Sequence, residues 1–174
     1  MKTYIKNLFV FVLISSVMTL LLATTNYFTA PIIDENERIA TNKALKEVMP
    51  NGETFEMVDI SNLTLPEKVT EVYKETSGAG YVVKLTTSGY GTNMVIMCGV
   101  DAKGIVTGTV CLSSNETLGE EKTFGQKFVN KNNAQIDSVD TVAGATKTTS
   151  AYKNAVIDAV NTANVLTSEN GGAK

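Results

Sequence analysis

The chain has 174 residues, 43% of them hydrophobic, a formal net charge of −3, two cysteines and no histidine. The acidic balance and the lack of a basic patch exclude nucleic acid as a partner. Without histidine there is no Ser-His triad, no imidazole acid–base pair and no histidine metal site, and two cysteines are too few for an iron–sulfur cluster.

The N-terminus comes first in chain order and is the most apolar part. From Asn7 to Ile33 no charged residue occurs, and the run beginning at Leu8 is almost wholly apolar to Ala23. Some 20 helical residues reach about 30 Å, the thickness of a bilayer core. A transmembrane anchor is expected over residues 1–30, in contact with membrane lipid, with Tyr27 and Phe28 as interfacial aromatics. Lys2 and Lys6 precede the run, whereas Asp34, Glu35, Glu37 and Arg38 follow it. The positive-inside rule then predicts a cytoplasmic N-terminus and an extracytoplasmic domain. A cleaved signal peptide competes, but the run is long for one, and Thr29-Ala30 is followed by Pro31, a poor cleavage partner. No cysteine follows the run, which excludes a lipoprotein anchor.

Residues 31–52 read as a juxtamembrane helix and connector. Ile39, Ala44, Leu45, Val48 and Met49 recur at helical spacing, and Pro50-Asn51-Gly52 stops the pattern. From Phe55 the texture becomes that of strands. Residues 68–76 and 81–87 flank a turn at Ser77-Gly78-Ala79-Gly80. Residues 94–100 and 105–112 flank Asp101-Ala102-Lys103-Gly104, with Gly104 where a positive φ is needed. The second hairpin is apolar on both faces in places, so it is expected to be central in the sheet. A four-residue loop there sets Cys98 opposite Thr107 and Cys111 opposite Met94. The two sulfurs would then be four residues apart along the strands, about 13 Å, too far for a disulfide.

A last helix is expected over residues 149–166, with Ala151, Ala155, Ala159 and Ala163 along one side for close packing. Residues 168–174 read as a flexible tail. The fold class is α+β: an N-terminal transmembrane helix, then an antiparallel sheet with packed helices over residues 53–167.

Chemistry concentrates in Asp140-Thr-Val-Ala-Gly-Ala-Thr146 and the helix after it. A glycine turn at a helix entrance leaves backbone N–H groups unpaired, which suits a phosphate, and Thr146 sets a hydroxyl at the same place. Thr148, Thr149 and Ser150 are competent helix caps, so the local threonine richness also has a purely structural explanation.

In this stretch Asp140, Gly144, Ala145 and Thr146 fit the Asp-x-x-Ser/Thr-Gly-Ala-Thr pattern, and the chain resembles the FMN-binding domain family. Gly89-Tyr90-Gly91, Gly99-Val100-Asp101-x-x-Gly104-Ile105 and Asn115-Glu116-Thr117-x-Gly119 fit it in the same order. Together with the anchor, the chain is similar to the G subunits of Rnf ion-translocating oxidoreductases. It is more distantly similar to the C subunits of sodium-pumping NADH:quinone reductases.

The resemblance implies FMN joined covalently through Thr146, with the FMN moiety of FAD delivered by a separate flavin transferase during maturation. It implies Gly144, Ala145, Lys147, Asp140, Thr148, Glu116 and Thr117 as further cofactor-binding residues. It also implies the integral membrane subunits of an Rnf-type complex as partners. The protein would be an electron-transfer subunit without a stand-alone catalytic site; a flavin-free anchored binding domain is the reading from another class. Two positions depart from the pattern. Ala143 stands where Ser or Thr is usual, and the middle motif, commonly Glu-Thr-Pro-Gly-Leu-Gly, is here Glu116-Thr117-Leu118-Gly119-Glu120-Glu121, which brings two carboxylates close to the region expected to face the anionic cofactor.

Overall fold

The computed structural model describes the backbone of residues 2–171 and the side chains of residues 4–168. The chain forms two compact units, Met1–Thr41 and Asn42–Lys174.

The first unit is helical. It lies within α1, which spans Lys2–Val48 and continues through Pro31, so the anchor and the juxtamembrane helix are one continuous helix. Proline deprives the Tyr27 carbonyl of its usual N–H, a cost that a long helix absorbs as a local bend. The segment is long and apolar enough to cross a membrane, and Leu8, Phe9, Phe11, Leu20, Leu22 and Phe28 all face outward. Its hydroxyls are turned inward: Thr19, Thr24, Thr25 and Thr29 donate to the carbonyls of Ser15, Leu20, Leu21 and Thr25. In hydrocarbon every polar group needs a partner, and these side chains find one on their own helix.

The second unit is a five-stranded antiparallel meander in the order β1-β2-β3-β4-β5. The strands are β1 (Phe55–Met57), β2 (Val69–Glu75), β3 (Gly80–Thr87), β4 (Met94–Asp101) and β5 (Val106–Ser113). The short helices α2 (Glu121–Phe124) and α3 (Asn133–Asp137) follow, with a 3-10 turn at Gly125–Phe128 between them; α4 runs Thr146–Gly171. The second hairpin is not wholly central, because β5 is an edge strand. Its first residue is covered: Val106 bonds both Asn130 and Lys131 through the backbone.

Strand alternation divides the side chains between two cores. Tyr81, Val83, Leu85, Met94, Ile96, Cys98 and Val100 face α4, whose Ala151, Ala155, Ala159 and Ala163 allow close approach. Val82 and Met97 face the other way, onto Ala44, Leu45, Val48 and Met49 at the end of α1. Each fully buried Val, Leu, Ile or Met contributes about 1.5–3 kcal/mol, so both faces matter.

Docking of the α1 end also explains the glycines of β4 and β5. A Cβ at Gly99 would lie 2.5 Å from the Val48 carbonyl oxygen, and one at Gly108 would lie 2.8 Å from the Val48 Cα. Between them Thr107 donates to the Val48 carbonyl at 2.6 Å. Thr107 is the extra residue of a bulge, since Val100 pairs with Val106 and Gly99 already pairs with Gly108.

That bulge corrects the expected hairpin register. The loop is also one residue longer, closing with Asp101 N–H on the Ile105 carbonyl, while Asp101 Oδ1 accepts from Lys103 N and Ile105 N. Together the two features shift the pairing by two positions. Cys98 lies opposite Thr109, and Cys111 opposite Ile96. The cysteines are therefore diagonal neighbours, about 7–8 Å apart rather than 13 Å. That still exceeds the usual disulfide span, and both thiols are free.

The last helix begins three residues earlier than its apolar pattern suggests and extends into the stretch read as a tail. Ser168–Gly171 continue α4, and residues 172–174 lie outside the described residues.

A cavity at the entrance of the last helix

The entrance to α4 is built by a turn. Ala145 N–H donates to the Val142 carbonyl at 3.0 Å, and Gly144 has φ +85 in the third position of that turn. This is the geometry of a type II turn, which needs glycine there. Thr149 closes the loop from inside: its hydroxyl accepts from Val142 N–H at 3.2 Å and donates to the Ala145 carbonyl at 2.9 Å. Ala145 then accepts the first helical hydrogen bond, from Thr149 N–H at 2.9 Å. Thr146 and Lys147 are thus the first two helical residues; both are exposed, and their N–H groups precede the point at which the helix supplies acceptors.

The four neighbouring hydroxyls differ sharply in accessibility. Thr149 is 0% exposed and Thr148 5%, both bonded within the fold, and Ser150 is half-buried. Thr146 is exposed, and its hydroxyl makes only a long contact with the Val142 carbonyl, 3.5 Å, among the described residues.

Beside this turn lies a cavity of about 380 Å³. One wall is Gly144, Ala145, Lys147 and Thr148; the other is Glu116, Thr117, Leu118, Glu120 and Glu121, with Tyr90 alongside. Thr148 Oγ1 donates to Glu116 Oε2, and Gly91 N–H donates to Glu116 Oε1 at 3.1 Å. Gly89 fits where no side chain would, because a Cβ there would lie 2.6 Å from Glu116 Oε1 and 2.7 Å from the Thr148 Cα. Tyr90 is thereby held at the cavity, 72% exposed, with Leu118 also outward at 66%. Two large apolar side chains at one polar-rimmed opening are suited to a flat ring. Lys147 is shared with a shallower groove that carries Lys68, Ser88, Ser150 and Asn154; Lys68 is ion-paired with Asp158 at 3.3 Å, so the positive charge beside the helix N-terminus comes from Lys147.

In the core, Phe124, Phe128 and Tyr152 pack ring against ring, with centroids 5.2–6.0 Å apart. The Tyr152 hydroxyl pairs with Thr109 Oγ1 at 2.9 Å, and burial holds its pKa well above the ordinary phenol value. Burial likewise pushes the Cys98 thiol up, and burial reinforced by the Glu121 charge pushes Cys111 up to about 11. Tyr152 and both thiols therefore resist ionisation.

Of the residues singled out in the sequence, Gly144, Ala145, Lys147, Thr148, Glu116 and Thr117 share the cavity wall. Thr146 stands at its rim, one residue from Ala145 and Lys147, and is not itself in the lining. Asp140 is exposed and also outside the lining. Glu120 and Glu121, the two carboxylates that the altered middle motif brings close to the cofactor region, also line the wall, and Tyr90 and Leu118 join it without having been singled out as binding residues. A tyrosine between two glycines was the readable signal for Tyr90; the altered motif marked Glu121 as a nearby carboxylate, but not its burial.

Comparison with known proteins matches two separate segments of the chain. Residues 89–161 match the FMN-binding domain, and residues 1–48 match the RnfG N-terminal region. The G subunit of the Na(+)-translocating ferredoxin:NAD(+) oxidoreductase complex of Acetobacterium woodii is 32% identical over 172 residues. The match covers 89% of this chain and 82% of that relative.

Proposed function

This chain belongs to the family of FMN-binding Rnf G subunits, and on that premise we propose that it is a membrane-anchored electron carrier with FMN bound covalently through Thr146. The observation that carries the reading is the exposed, nearly unbonded Thr146 hydroxyl on the first residue of α4, at the rim of the cavity. Among the neighbouring hydroxyls, Thr148 and Thr149 are buried and engaged.

The residues present fit such a group. A phosphate esterified to Thr146 lies where the Thr146 and Lys147 N–H groups, the helix dipole and the Lys147 ammonium are all favourable to an anion. Formation of the ester joins Thr146 Oγ1 to the FMN phosphorus of FAD, releases AMP, and requires a flavin transferase acting on the folded rim. Tyr90 and Leu118 would hold the ring, while Glu116 fixes the loop that bears Leu118 by holding Thr148 and Gly91. The bound flavin supplies transfer of one or two electrons, so the protein needs no acid–base pair and acts by holding and shielding the ring.

The helical first unit anchors the carrier in the membrane, with the cavity on the extracytoplasmic side. A covalent link keeps the cofactor from being lost there. The partners are the integral membrane subunits of an ion-translocating ferredoxin:NAD oxidoreductase. The match of residues 1–48 to the RnfG N-terminal region favours that complex over an NADH:quinone reductase.

Co-expression with a flavin transferase tests the assignment. The wild-type band stays fluorescent in a denaturing gel, and Thr146→Ala abolishes that fluorescence while the domain remains folded. Fluorescence retained by Thr146→Ala refutes the attachment site; a wild-type chain without flavin favours a flavin-free binding domain.

A further inference from the structure

Glu121 is the most unusual group in the cavity wall. It begins α2, it is 2% exposed, and it lines the cavity. Ser114 Oγ donates to its Oε1 at 2.6 Å, whereas its Oε2 is buried with no hydrogen-bond partner among the described residues. None of the described ion pairs includes it. Burial first, and the Glu121 carboxylate as a lesser cause, make the Cys111 thiol and the Tyr152 hydroxyl hold their protons more tightly. A buried carboxylate oxygen left without a donor is costly, and such groups normally have partners. Glu116, by contrast, has both oxygens engaged.

We propose that Glu121 Oε2 accepts the imide N3–H of the flavin ring, and so fixes the pyrimidine end of the ring and places a negative charge beside it. The inference rests on the reading above that FMN occupies this cavity. A carboxylate is satisfied only by a donor. The oxidised isoalloxazine ring has a single N–H, at N3, and its other polar atoms are acceptors. The phosphate end is tethered at exposed Thr146, so the end that reaches a 2%-exposed side chain is the ring and not the ribityl hydroxyls. The charge has two consequences. It stabilises the protonated N3 over its anion, and it opposes the negative charge that the ring gains on reduction.

The test uses the full-length flavinylated chain in detergent, comparing wild type with Glu121→Gln and Glu121→Leu. Glutamine keeps the size of the side chain and an oxygen for Ser114, so it separates charge from shape. Two quantities are read: the pH at which the bound flavin loses its N3 proton, by absorbance, and the midpoint potential. The expected result is an N3 acid dissociation constant raised about tenfold or more in both variants, the scale of a hydrogen bond to a charged group. The midpoint potential moves positive in both. If the leucine variant fails to fold, the glutamine variant alone decides. Variants that carry flavin yet titrate and reduce like wild type overturn the proposal. A wild-type chain that takes up no flavin overturns the underlying reading instead, and the two failures are thereby distinct.

Discussion

Thr148 Oγ1 donates to Glu116 Oε2 at 2.5 Å across 32 residues of sequence, tying the first turn of α4 to the loop that forms the opposite cavity wall. The same carboxylate accepts from Gly91 N–H, so one side chain holds three segments. Glu116→Ala leaves the Thr148 hydroxyl and the Gly91 amide unpaired and is expected to cost about 1–3 kcal/mol. It should also lower the yield of flavinylated protein, because the loop carrying Thr117 and Leu118 loses its tether. Thr148→Ala should cost a similar amount but still accept flavin. Thermal melts together with in-gel fluorescence separate these outcomes; loss of attachment in Thr148→Ala would shift the acceptor role away from Thr146.

The glycine pair under α1 makes a packing prediction. Gly108→Ala brings a Cβ to 2.8 Å from the Val48 Cα, backbone against backbone, where no side-chain rotation relieves the contact. We expect a loss of about 1–3 kcal/mol, as for other overpacked sites. Gly78→Ala is the control. It meets nothing within 4 Å but has φ +86, so its cost is conformational only, about 1–2 kcal/mol. Urea denaturation of the two variants measures both. A Gly108→Ala protein as stable as wild type would mean that the α1 end does not dock on this face.

The cysteines give a pH-dependent outcome. Cys111 is half-buried with its pKa pushed up to about 11, so little thiolate exists at neutral pH. Its maleimide reaction in the folded protein should be slow at pH 7 and accelerate with each step toward pH 9. Cys98, fully buried, should react only after denaturation. In denaturant without reductant, mass spectrometry should count two labels. A single disulfide-linked peptide in place of two labelled ones would contradict the β4–β5 register.

The charge balance predicts the orientation. Lys2 and Lys6 lie before the apolar run, and Asp34, Glu35 and Glu37 after it. Protease added to intact spheroplasts should therefore digest the domain from about residue 34 onward. Protection until lysis would reverse the topology, and would also remove the reason for a covalent link.

The periodicities that face a core were legible in the sequence. Alternation in β3 and β4, the helical stripe of alanines in α4 and the apolar run of α1 each reflect burial on a single face or in lipid. The positive φ of Gly104 was legible too, because the loop chemistry demands it. Three features were not. The bulge at Thr107 arises from a contact with Val48, 59 residues distant, and no local pattern encodes it. The start of α4 was expected at Thr149 because threonines are good caps. In the fold Thr149 instead closes the turn from within, and the helix begins at Thr146. The nearness of Glu121 to the cofactor region was legible in the altered motif, but its burial was not, because its surroundings are set by Ser114, Cys111 and Tyr152.

The most direct measurement is the mass of the protein purified from its native membrane, followed by mapping of the peptide that contains residues 140–153. The expected increment equals one FMN less one water, located on Thr146, with Thr148, Thr149 and Ser150 unmodified. An unmodified peptide, or the same increment on any other residue, would contradict covalent attachment at Thr146.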